Sequence, residues 1–95
     1  MRGLLSVELD GCWQLHPQVA VRPEPFGALL YHFGTRKLSF LKSVTMRQVV
    51  QTLADHRDVD GALSAAGVPR DGRAPYLHAL NVLAESKMLV ERTTP

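Results

Sequence analysis

Four histidines and one cysteine are the residues of this chain best equipped for chemistry, and their spacing assigns them none. A metal centre needs ligands that converge, such as two histidines one helical turn apart beside a carboxylate. His16, His32, His56 and His78 form no such pair. Cys12 would need a histidine base to act as a nucleophile, and it lies beside Trp13 in a segment without periodicity. Ser39, Ser43, Ser64 and Ser86 lack the strand-turn-helix setting of a nucleophile elbow. Gly61, Gly67 and Gly72 are not followed by the Lys-Ser/Thr pair of a phosphate loop. Asp55, Asp58 and Asp60 lack the glycine and terminal glutamate of a calcium loop and read better as helix caps. The expectation is a protein with no catalytic residue and no metal, whose work is binding.

Composition narrows what is bound. A chain of 95 residues suits one domain. With 45% hydrophobic and 21% charged residues it is globular rather than disordered. A net charge of +2 falls far short of the basic load of a nucleic-acid binder. A single cysteine excludes an internal disulfide and fits a reducing compartment. No apolar run nears the length of about 18 residues that spans a bilayer. The expected setting is cytoplasmic, with no membrane and no nucleic-acid partner.

The elements that must build a binding surface follow from hydrophobic periodicity. Residues 1–12 show no sustained pattern and are expected as a flexible tail, with a single winged-helix-like domain over 13–95. Trp13-Gln14-Leu15 alternates and can extend a sheet. Val19-Ala20-Val21-Arg22, Gly27 to His32 and Lys37 to Leu41 read as strands. Pro23 and Pro25 keep the first junction extended, and Gly34 supplies the second turn. In the last strand Leu38 and Phe40 share one face, which is assigned to the core.

After Lys42 the period lengthens from about two to about 3.6 residues. A first helix starts at Ser43 or Thr45, where Thr45 and Gln48 fit a capping box. Met46, Val49, Val50 and Leu53 form its stripe. A second helix has Asp58 as its cap and ends at Gly67. A third opens near Pro75 and runs to about Lys87, with more apolar residues than one stripe requires. That surplus points either to a second contact surface, for a ligand or for a homodimer, or to dense core packing in a small domain. The fold class is α+β: a three-stranded antiparallel meander followed by a three-helix bundle.

Such a plan also serves DNA-binding proteins, the alternative reading. The third helix, however, offers only His78, Asn81, Glu85 and Lys87 to a groove, with Arg70 and Arg73 before it. A third strand at a sheet edge leaves N–H and C=O groups open to an extended peptide. Arg36, Lys37, Lys42 and Arg47 cluster near that strand; they either steer an acidic peptide toward it or form a solvated face in which Lys37 guards the edge against aggregation.

The run His16-Pro17-x-Val19-x-Val21-Arg22-Pro23-Glu24-Pro25-Phe26-Gly27-Ala28-Leu29-Leu30-Tyr31, followed by Lys37-Leu38-Ser39-Phe40-Leu41, resembles the mycofactocin peptide-chaperone family. That family is a branch of the precursor-peptide recognition elements and is similar to the pyrroloquinoline-quinone peptide chaperones. The resemblance covers roughly residues 13–92. It implies a cofactor-free chaperone that binds the leader of a ribosomally made precursor as an added strand. It also implies presentation of that precursor to a radical S-adenosylmethionine maturase. The positions it places at the peptide are Lys37, Leu38, Ser39, Phe40 and Leu41 on the strand. On the third helix Tyr76, Leu80, Asn81 and Ala84 are assigned to the other wall by their position on the helix, without a shared motif.

Overall fold

Pro25 and Gly27 turn the chain between two strands that run side by side, β2 (Val19–Glu24) and β3 (Gly27–His32). The computed structural model describes residues 7–92. A second turn leads to β4 (Leu38–Leu41), which among the described residues pairs only with β3, so the sheet order is β2-β3-β4 and β4 lies at an edge. His32 organises this turn. Its Nδ1 accepts from the backbone N–H groups of Gly34 and Thr35 at 3.0 and 3.1 Å. Arg36 adopts a left-handed backbone with φ +65° and donates its N–H to the His32 carbonyl.

Ser43 caps helix α1 (Val44–Thr52): its Oγ accepts from the Met46 N–H at 3.0 Å. A cap of this kind contributes about 1 kcal/mol. Thr45, the other candidate, sits inside the helix, because β4 ends at Leu41 and only two residues separate it from α1. Asp58 caps α2 (Val59–Ala65) as expected, accepting from Gly61 at 2.9 Å, and Gly67 follows that helix at φ +84°. Helix α3 (Arg73–Glu85) begins two residues before Pro75, which occupies its first turn.

The core joins Ala28 and Leu30 of β3 and Leu41 of β4 to Met46, Val49 and Val50 of α1. Val59, Ala62 and Leu63 of α2 and Leu80 and Leu83 of α3 complete it. Most of the apolar surplus of α3 is therefore core; Val82 is its exposed exception, at 49%. Arg73 is buried at the start of α3. Its guanidinium bonds to Asp60 Oδ1, Ser64 Oγ and the Val68 carbonyl, tying α3 to α2. It is thus unavailable to a nucleic-acid backbone.

Trp13–Leu15 forms β1, but it does not extend the meander. It pairs antiparallel with β5 (Leu89–Glu91) in a separate two-stranded sheet, Trp13 opposite Glu91. Residues 7–12, grouped with the tail in the sequence reading, are held in place. Val7 is buried, and the carbonyls of Leu9 and Gly11 accept from the N–H groups of Asp60 and Val59 at the start of α2. The tail expected over residues 1–6 lies outside the described residues. Among the described residues no helix is long and apolar enough to cross a membrane.

Candidate peptide-binding edge and groove

The phase of the β3–β4 ladder determines which backbone groups are free. The His32 N–H donates to the Lys37 carbonyl at 3.0 Å. Hydrogen-bonded pairs recur every second residue in an antiparallel ladder, so Leu30/Ser39 and Ala28/Leu41 are bonded pairs. Leu38 and Phe40 therefore turn their N–H and C=O groups away from β3, toward the open edge. This is the geometry that accepts an added strand.

The same phase reverses the assigned faces of β4. Ala28 and Leu30 are fully buried, and their partners Leu41 and Ser39 lie on that inner face. Leu38 and Phe40 stand outward at 56% and 61% exposure, opposite Tyr31 and Leu29. They are not core residues. The Phe40 ring lies 6.5 Å from that of Phe26, itself exposed, and Tyr31 meets Phe33 edge-on at 5.0 Å.

A groove of about 300 Å3 opens where β4 ends. One wall is Lys42, Ser43 and Met46, from the β4–α1 junction; the other is Pro75, Tyr76 and Ala79, from the first turns of α3. Its floor and walls are apolar apart from the Lys42 ammonium, the Tyr76 hydroxyl and Ser43, whose Oγ is already engaged in the α1 cap.

Not every residue expected at the peptide reaches this groove. Tyr76 lines it. Leu80 is fully buried, belongs to the core cluster and does not line the groove. Ala84, half-buried, packs against the core and does not line the groove. Asn81 is already occupied: its Oδ1 accepts from the Val7 N–H at 2.8 Å and its Nδ2 donates to the Leu77 carbonyl at 2.9 Å. Asn81→Ala would leave the buried Val7 N–H without a partner. We expect it to lower stability by about 1–2 kcal/mol, with faster amide exchange at Val7 as the measurement that checks it.

The expected steering charges divide in the same way. Arg36, Lys37 and Lys42 are exposed around β4. Arg47 is spent on structure: its guanidinium donates to the carbonyls of Gly27 at 2.9 Å and Glu24 at 3.3 Å, holding the β2–β3 turn. Pro75 and Ala79 were missed in the sequence, where only their place on α3 beside Tyr76 marks them.

The groups weighed for chemistry take structural places. His32 is buried in its turn, with the His16 ring 4.3 Å away, and the Cys12 thiol donates to the Arg57 carbonyl at 3.1 Å. No group of three or more metal-binding side chains gathers among the described residues.

The profile of the peptide chaperone MftB family matches residues 12–90. Three curated proteins, each named peptide chaperone MftB, are similar along nearly the whole chain. The Mycobacterium tuberculosis protein is 68% identical over 90% of this chain and 78% of its own. The Mycolicibacterium smegmatis protein is 66% identical over 90% of this chain and 84% of its own. The Mycobacterium ulcerans protein is 61% identical over 95% of this chain and 94% of its own. No solved structure is significantly similar to the chain.

Proposed function

Because the chain belongs to the peptide chaperone MftB family, a family of chaperones and not of enzymes, we propose that it binds the leader of the mycofactocin precursor as a strand added to β4. The observation that carries this reading is the ladder phase. Leu38 and Phe40 point their free backbone groups at an edge that continues into the groove below Tyr76. Backbone pairing supplies affinity, and side-chain pockets beside the edge supply selectivity.

The chaperone holds the leader and leaves the rest of the precursor free for a radical S-adenosylmethionine maturase in the cytoplasm. The chain contributes binding and orientation, and all bond chemistry belongs to that partner. A second copy of the chain at the same edge would compete with the peptide, so self-association should fall as peptide is added.

The test is a titration of synthetic mycofactocin precursor leader into isotopically labelled protein, followed by amide shifts. Shifts concentrated in residues 37–42 and 75–79 are expected. Tyr76→Ala should weaken binding about tenfold, or about 1.4 kcal/mol, while leaving circular dichroism unchanged. Flat spectra at high peptide excess would end this reading.

A further inference from the structure

We propose that the added strand is read on both of its faces, so that the docking segment is an unbroken apolar run of about four residues with acidic flanks. This rests on the strand-addition reading above and specifies the peptide that satisfies it.

Residues directly opposite one another in paired strands share a face, with side chains about 5 Å apart. Peptide residues opposite Leu38 and Phe40 therefore lie on the outer face. There they meet two half-exposed apolar side chains, and Phe26 extends that surface beyond Phe40. The intervening residues point the other way, toward the groove walled by Met46, Tyr76 and Ala79. A strand with one wet face alternates apolar and polar residues, whereas a strand covered on both faces does not. Here the groove side is apolar, and the outer side, although open to solvent, sets Leu38 and Phe40 directly beside the peptide's outer residues, so cross-strand pairing favours apolar residues in both alternate sets.

Charge complementarity sets the flanks. From residue 25 to residue 54 the chain contains no aspartate or glutamate. Arg36 and Lys37 precede β4 and Lys42 follows it, all exposed. Cations at both ends of a short apolar edge favour carboxylates at both ends of the strand laid along it.

The experiment combines Phe40→Ser and Leu38→Ser with a serine scan of the synthetic mycofactocin precursor leader, read by fluorescence anisotropy. Both side chains are exposed, and circular dichroism confirms folding of each variant. Phe40→Ser should weaken binding tenfold or more. In double-mutant cycles it should couple to peptide positions two apart, while Tyr76→Ala couples to the positions between them. Glutamine in place of the acidic flanks should weaken binding at low salt and change little at high salt.

Backbone N-methylation of the leader separates the two levels. If N-methylation abolishes binding but Phe40→Ser binds within twofold of the unaltered protein, strand addition stands and two-faced reading is overturned. If N-methylated leader binds as well as unmodified leader, strand addition fails and this inference fails with it. A sensitive run that alternates apolar and polar residues would also overturn it.

Discussion

Gly27→Ala is expected to yield no folded protein. Gly27 sits at φ +153°, a conformation that side-chain-bearing residues avoid. A methyl group there would meet the Leu41 carbonyl oxygen at 2.0 Å and the Ser43 nitrogen at 2.7 Å. These are backbone atoms and cannot rotate away. They belong to the residues that end β4 and cap α1, so relief of the clash would part the β3–β4 ladder from the helix it feeds. The Gly27 carbonyl is the closer of the two acceptors for Arg47, and that bond would move as well. A domain of this size has a total stability of about 5–14 kcal/mol. Displacing three structural elements together is expected to consume most of it. Circular dichroism and amide dispersion are the checks, and a Gly27→Ala protein melting within a few degrees of the unaltered one would refute this account.

Leu80→Asp is expected to unfold the protein rather than to weaken peptide binding selectively. Leu80 has no exposed surface, and the substitution would place a carboxylate in a buried cluster made of apolar side chains alone. Removing the leucine alone costs about 2–5 kcal/mol through lost packing and the cavity left behind. Desolvating an unpaired carboxylate adds several more. Chemical denaturation distinguishes the outcomes: a cooperative transition at the unaltered midpoint would return Leu80 to the groove. Tyr76→Ala provides the contrast, since the same helix there presents a half-buried ring to the groove.

The strand and helix positions were legible in the sequence because local signals decide them. Pro23, Pro25 and Gly34 punctuate the meander, and Asp58 and Gly67 bracket α2 with the hydrogen bond and left-handed backbone that their chemistry suggests. The face of β4 was not legible. Its run Leu-Ser-Phe-Leu carries large apolar side chains on both faces, so alternation alone has no phase. The register against Ala28 and Leu30 supplies the phase, placing Ser39 and Leu41 inward. The charged residues were hidden for a different reason. Arg47 and Arg73 look like any surface cation in the sequence, yet one folds onto turn carbonyls and the other is buried between helices. Asn81 likewise reads as a polar groove residue until Val7 returns to it from the far end of the chain.

The two sheets differ most in the length of chain each must close. The meander pairs neighbours through short turns, whereas β1 meets β5 only when residue 13 finds residue 91. Loop-closure entropy makes the second event the slower one, and on the ribosome it waits until residue 91 has emerged. The edge proposed to accept the peptide thus belongs to the part assembled from local contacts, while the β1–β5 clasp is a late lock on the completed bundle. A nascent or partly opened chain can present that edge before the clasp forms, at the stage when an unsatisfied strand is most exposed to mispairing.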